Sequence, residues 1–424
     1  MPQFFHAVLL VSSAAYLALQ PTNAATYVRS VAFGVAAGTA LLLVAASLAG
    51  RYERAPSPGR ALVVALCAWC AWDAVSFLWS ANPAYTLGEV RREVIWAALM
   101  MLAFYLAARD ANAWRTLVAV ALMSFAVMAS LAIGVASSPE AWDAGRWHIG
   151  VGAFSTYAVL VAPLLLTLLA PGPAGFGGGR AGAGLALVLL VLLLVAARLA
   201  DNRMVWVALA TMFATSFGLA ALRWHAALRR APVRWLAPLV ALLVVLVVLF
   251  GQTARDKATA HFPPQTTIAQ TFAHDPRLQL WDRTLTLIGE RPWIGFGFGK
   301  TILSEELKSE SHDPLLSHAH NVFMSQWLQT GAIGLAVFVA LLAALVARYA
   351  RFLRSPDDAV ALLGVIGIAL VAGFVVKNLT DDFLIRATGK EFWVLNAALL
   401  GFGVRRERTV TGAGAPARPD TPAK

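Results

Sequence analysis

Residues 235–251 read WLAPLVALLVVLVVLFG and residues 321–347 read NVFMSQWLQTGAIGLAVFVALLAALVA. Each meets the length of about 17 apolar residues that a helix needs to cross a bilayer. Between them lies 252–319, the one long polar interruption of the chain. Working outward, similar apolar stretches recur near 4–20, 27–49, 61–80, 91–108, 116–136, 153–170, 182–200, 204–222, 358–377 and 384–404. That makes about twelve spans by the length rule. A composition of 59% hydrophobic and 13% charged residues, with a mean hydropathy of +0.68, leaves too few charges for a soluble surface. The expected fold class is an all-α polytopic membrane protein.

The net charge of +11 does not point to nucleic acid, because the arginines sort by side of the membrane. Arg51, Arg54, Arg60, Arg109, Arg115, Arg180, Arg223, Arg229, Arg230, Arg234, Arg348, Arg351, Arg354, Arg405, Arg406 and Arg408 all fall in connectors on one side. The positive-inside rule makes that side the cytoplasm. The 81–90 and 137–152 loops, the Asp201 to Arg203 link, 252–319 and the 378–383 link then face outward. The chain divides into nine spans over 1–251, an external loop with amphipathic helices over 252–319, three spans over 320–404 and a cytoplasmic tail over 405–424 that reads as disordered. The first apolar run has no basic residue ahead of it, and is expected to be a retained helix rather than a cleaved signal. Cys67 and Cys70 form a CxxC inside a span, where buried inert thiols are expected.

The external loop gathers Arg277, Arg283, Arg291, His312, Asp313 and His318, and reaches the membrane again at His320. Asp275 caps an expected helix starting at Pro276, in which Leu278, Trp281, Leu285 and Ile288 recur at helical spacing. Gly295, Gly297 and Gly299 follow as a flexible turn. The GFGK run at 297–300 is not a P-loop, since Ile294 stands where the first glycine belongs. A metal on His318 and His320 would need a third ligand from His312 or Asp313, and no metal or other cofactor is expected. Gly331 and Gly334 are small residues suited to close helix packing, seating the helix that carries His320.

Arginine at the membrane centre costs about 2.5–3.5 kcal/mol on insertion scales, so such residues need partners. Arg146, Arg203, Arg277 and Arg283 stand near Asp143, Asp201, Asp275 and Asp282 on the outer side. Guanidinium forks match phosphate oxygens, so a cationic cluster at an interface suits a lipid pyrophosphate, while pairing with ordinary headgroups is the alternative. Nearby arginines would favour a neutral His320 able to accept a proton. Asp381 and Asp382 are suited to orient it, to bind sugar hydroxyls or to cap the next helix.

Together these residues resemble the O-antigen ligase and polymerase family of bacterial envelope glycosyltransferases, a GT-C-like group. The resemblance rests on Asp201-Asn202-Arg203, on Arg277 and Trp281, on Arg291-Pro-Trp-Ile-Gly295-Phe-Gly297, and on His320-Asn321 followed by Gly331 and Gly334. Val337 stands where a third small residue is expected. The resemblance implies an O-antigen ligase of the Gram-negative inner membrane, with its active site facing the periplasm. The donor would be a glycan on undecaprenyl pyrophosphate and the acceptor a sugar hydroxyl of lipid A core, both among membrane lipids. It implies inverting transfer without metal or ATP. His320, Arg277 and Arg203 would be catalytic, while Arg146, Arg283, Arg291, His318, Asn321, Trp281, Asp381 and Asp382 would bind substrate. A polymerase of the same family and a lipid-linked oligosaccharide transporter are the alternatives. A transporter would carry its charges near the bilayer midplane, rather than at one face.

Overall fold

The computed structural model describes residues 2–135, 150–261, 276–311 and 317–412, and every regular element among them is helical. The elements are α1 (Pro2–Leu19), α2 (Thr26–Leu48), α3 (Arg60–Val75), α4 (Pro83–Glu89), α5 (Trp96–Ala107), α6 (Ala111–Val135), α7 (Val151–Val161), α8 (Gly179–Leu199), α9 (Arg203–Arg223), α10 (Pro232–His261), α11 (Pro276–Glu290), α12 (Ser304–Ser311), α13 (Val322–Leu353), α14 (Asp358–Lys377) and α15 (Arg386–Gly412). A helix occupies each of the twelve stretches expected to span. Among the described residues, nine helices are long and apolar enough to cross a membrane. The other three places explain themselves. The apolar part of α1 is short, the 91–108 stretch is interrupted by a π-helical turn at Val90–Ile95, and α15 buries Lys390, Glu391 and Asn396.

Several boundaries differ from the sequence reading. Helix α10 runs on to His261, and α15 runs to Gly412 rather than ending at 404. Residues 405–412 are therefore helical and not part of a disordered tail, because Arg405 and Arg406 have partners that hold them. Arg405 donates to the carbonyls of Tyr105 and Gly401, and Arg406 to the Asp357 carboxylate at 2.8 Å. Cys67 is exposed and Cys70 half-buried, both as free thiols, so Cys67 is not the buried residue expected of it. It stands on an outward face of α3 beside the exposed Val63 and Val64.

Because the spans alternate in direction, the 20–25, 80–82, 200–202 and 378–385 connections share one end of the bundle with α11 and α12. Helices α14 and α7 are sheathed by the others and form the centre of the core with α15. Under the external segment lies a second, small apolar cluster, in which Leu280, Leu287 and Ile288 of α11 meet Phe296, Leu303, Leu307 and Leu328. Leu278 and Leu285 point outward, so the buried face of α11 is rotated from the one its spacing suggested. Packing against the start of α13 chose the face.

Helix α13 is broken at Gly331, whose φ of 70° and ψ of −177° lie outside the helical region. The break exposes backbone groups, and the 292–299 segment satisfies them. Phe296 N–H donates to Leu328 O at 3.0 Å, Gly297 N–H to Gln329 O at 2.8 Å, and Ala332 N–H to Pro292 O at 2.8 Å. Trp72 donates from Nε1 to Thr330 O, and Trp79 to Ile294 O. A Cβ on Gly331 would lie 2.1 Å from the Trp293 carbonyl carbon, and one on Gly295 would lie 2.5 Å from Gln329 O. Gly331 is thus a backbone docking point rather than a spacer between helices, and Gly295–Gly299 form a buried, hydrogen-bonded strap rather than a flexible turn. Left-handed φ and backbone clash together predict that Gly331→Ala loses at least about 2 kcal/mol of stability. Thermal unfolding of the purified protein in detergent measures this, and a melting temperature equal to wild type would contradict the docking role.

Candidate active site

Two local motifs share one construction. Asp201 and His320 both adopt a left-handed φ of 48°, and each precedes an asparagine that caps a helix. Asn202 accepts from Met204 N–H at the start of α9, and Asn321 accepts from Phe323 and Met324 N–H at the start of α13. A non-glycine residue in this region is held there by its surroundings. At His320 the surroundings are specific. Asn321 Nδ2 donates to Leu379 O, Val322 N–H to Asn378 O, and Trp281 Nε1 to Ala319 O at 2.9 Å. The His-bearing corner is therefore pinned to α11 on one side and to the α14–α15 link on the other.

That link brings Asp381 to His320. Asp381 Oδ1 lies 3.7 Å from His320 Nδ1 and 3.9 Å from Arg277 Nη2, while Oδ2 accepts from the fully buried Lys377 at 2.5 Å. Burial works against the Asp381 carboxylate, but Lys377, His320 and Arg277 outweigh it and hold it well below the usual carboxylate range. Asp381 thus stays ionised, faces Nδ1 and leaves Nε2 as the nitrogen able to take a proton from a ligand. The 3.7 Å separation exceeds hydrogen-bond length and would have to shorten in a reacting complex. The side chain of His320 is 16% exposed, enough for a substrate to reach it.

The cationic cluster forms around two helix starts. Arg203 is the first residue of α9 and Arg277 the second of α11, positions where a helix favours an anion. Lys257, on the last turns of α10, feels the charges of Asp201, Arg203, Arg277 and Asp381, which places all five in one electrostatic neighbourhood. Lys257 approaches Asp201 at 4.0 Å, as does Arg198, which also pairs with Asp256. Arg283 lies six residues beyond Arg277, about 120° around the helix axis, and so on a different face. Arg291 stacks its guanidinium 5.0 Å from the Phe296 ring centre and donates to Trp79 O, which ties it to the strap. Arg146, His312 and Asp313 lie outside the described residues. The described residues contain no group of three or more His, Cys, Asp or Glu side chains arranged to hold a metal ion.

His318 stacks on His320 with ring centres 3.8 Å apart. His318 also lines a cavity of about 890 Å³, together with Lys300 and residues of α1, α2, the π-helical turn and α15. Lys300 donates to Asp382 O at 2.6 Å. Burial pushes its ammonium down, partly offset by Asp382 and Asp381. Burial, and then the Lys300 charge, hold the His318 imidazole well below its usual range.

The sequence reading found Arg203, Arg277, His320 and Asp381, which the structure brings to one end of the bundle. It missed Lys257, Lys300 and Lys377. Lys377 carried a signal, as a lysine four residues ahead of Asp381 at the end of a buried span. Residues 188–339 match the family model described as O-Antigen ligase. The match covers a little over a third of the chain, and over this segment the chain is similar to the O-antigen ligase family. The family segment carries Arg203, Lys257, Arg277, Trp281 and His320, and ends within α13 past Gly331 and Gly334. Asp381 and the α15 wall of the cavity lie beyond it. No curated protein matches the chain. The long apolar helices among the described residues make this a multi-pass membrane protein, and the matched segment supports an activity of the glycan ligase or polymerase type.

Because the folded state resists protonating His318 while the unfolded chain does not, the unfolded state binds more protons below about pH 6.5. Stability carried by this group is present above that pH and is lost as pH falls. Thermal unfolding followed from about pH 7.5 to 5.5 should show a steeper loss in wild type than in His318→Gln. Equal slopes would remove the assigned burial of the imidazole.

Proposed function

We propose that the chain transfers a glycan from undecaprenyl pyrophosphate to a sugar hydroxyl of lipid A core at the periplasmic face of the inner membrane. The observation that carries the reading is the sharing of Asp381 by His320 and Arg277, with Arg203 and Lys257 in the same electrostatic neighbourhood. A base and an anion site stand side by side, as transfer from a lipid pyrophosphate requires. The excess of arginine in the connectors at the opposite end supports a periplasmic site by the positive-inside rule.

In this reading Arg277 and Arg203, aided by Lys257 and the two helix starts, hold the pyrophosphate and offset the charge that grows on it as it leaves. The acceptor oxygen attacks the anomeric carbon from the face opposite the pyrophosphate, and its proton passes to His320 Nε2. The carbon–oxygen bond to the phosphate breaks with its electrons leaving on undecaprenyl pyrophosphate, so the product is inverted. Asp381 orients His320 through Nδ1 and stabilises the imidazolium that forms. Trp281 and Asn321 set the corner on which the base stands. The pyrophosphate is already an activated leaving group, and the reaction consumes no ATP.

The family match is shared by polymerases, in which the acceptor would be a second lipid-linked glycan. Deleting the gene separates the two. Bare core with unattached polymer marks a ligase, and core capped by a single repeat marks a polymerase.

His320→Ala and Arg277→Ala should each reduce transfer to background with purified lipid-linked donor, while the protein still inserts and unfolds at the wild-type temperature. Near-normal turnover in either variant would sink the assignment. Asp381→Asn should lower kcat by about 10²-fold or more, on the scale of other lost base-orienting groups, with a smaller effect on donor KM. Transfer should survive exhaustive chelation; its loss in EDTA would reopen a metal role.

A further inference from the structure

The cavity behind His318 has a charge pattern that the pyrophosphate site does not explain. Arg29, Arg92, Lys300, Arg386 and Lys390 line it, and Glu93 is the one carboxylate among its lining residues. None of Arg203, Lys257 and Arg277 lines it. Two cationic sites therefore flank the stacked pair, one beside Asp381 on the His320 side and one on the His318 side.

The second site is built rather than incidental. Glu93 sits in the π-helical turn, a local distortion often found at functional positions. Its Oε2 accepts from Lys390 Nζ at 3.0 Å and from the backbone N–H of Arg386 at 2.6 Å. Arg386 is held in a left-handed conformation with φ of 55°, so its position is fixed by these contacts. Arg29 is anchored by donating to Thr22 O at 2.8 Å and Gln20 O at 3.3 Å. Arg92 pairs with Glu89 at 3.2 Å. The carboxylates Glu89, Glu391 and Asp382 do not line the chamber. Lys390 is matched by Glu93 and Arg92 by Glu89, which leaves Arg29, Lys300 and Arg386 as the cations whose mutual repulsion an entering anion would relieve.

We infer that this chamber binds the second substrate of the transfer by phosphate groups on its saccharide headgroup, so that the acceptor must be phosphorylated close to the accepting hydroxyl. The inference rests on the transferase reading for the identity of that substrate. A volume of about 890 Å³ suits a few sugar units, and Tyr16, Phe33 and Trp96 give the chamber an aromatic side. An acceptor seated there presents its hydroxyl past His318 to His320.

The test uses the full-length protein in nanodiscs with lipid A core as probe, either untreated or stripped of phosphate monoesters by alkaline phosphatase. Binding and transfer are measured separately for wild type, Arg29→Gln and Arg386→Gln. Phosphatase treatment and each substitution should raise acceptor KM and Kd about tenfold or more, as the loss of a charge-assisted hydrogen bond implies. Donor KM should not move, and the substitutions should have little further effect on the stripped lipid. Transfer at equal KM to both lipids would overturn the chamber and leave the transferase standing. Phosphate-dependent binding that the substitutions weaken, without any transfer, would keep the chamber and overturn the transferase. A shift confined to donor KM would assign the chamber to the donor and refute the inference.

Discussion

The broken backbone of α13 and the strap that repairs it are the constraint on which the site depends. A transmembrane helix interrupted at Gly331 frees carbonyl and amide groups that lipid cannot satisfy. The 292–299 segment supplies the missing partners in both directions, accepting from Ala332 and donating to Leu328 and Gln329. The repair brings the external polypeptide to the membrane end of the bundle. Helix α11 with Arg277 precedes the strap, Lys300 follows it directly, and His320 stands at the head of the helix to which it is bonded.

Charge placement follows from the same geometry. Asp381 is nearly sealed from solvent, a position that a carboxylate tolerates only when paired. Lys377 provides a strong partner from one helical turn earlier, which leaves the second oxygen to be shared by His320 and Arg277. A single acid thereby links the His320 imidazole to the Arg277 guanidinium. The recurrent left-handed residue followed by an asparagine cap, at Asp201 and at His320, aims two helix starts at the same end of the bundle. Backbone dipoles then add to the side-chain charges.

The family segment covers the helices that carry Arg203, Arg277 and His320. Asp381 comes from the link after α14, and much of the wall of the second chamber from that link, α15, α1, α2 and the π-helical turn before α5. A chemistry confined to residues 188–339 would lack the acid that faces Nδ1, so the outer parts of the chain are not mere scaffold.

Sequence by itself determined the membrane environment, the helical class and the places of the long apolar helices, because hydrophobic length is a local property of the chain. It also placed His320, Arg277 and Arg203 near a membrane boundary, since charge beside an apolar run must lie there. Periodicity could not say that Leu280 and Leu287 rather than Leu278 and Leu285 face inward, for both sets are apolar at helical spacing and only the partner surface chooses. Nor could spacing show that Gly331 breaks its helix, that Asp381 turns to His320, or that Lys300, Arg29 and Arg386 enclose one chamber. Those facts depend on contacts between residues tens to hundreds of positions apart, and the tertiary structure alone decided them.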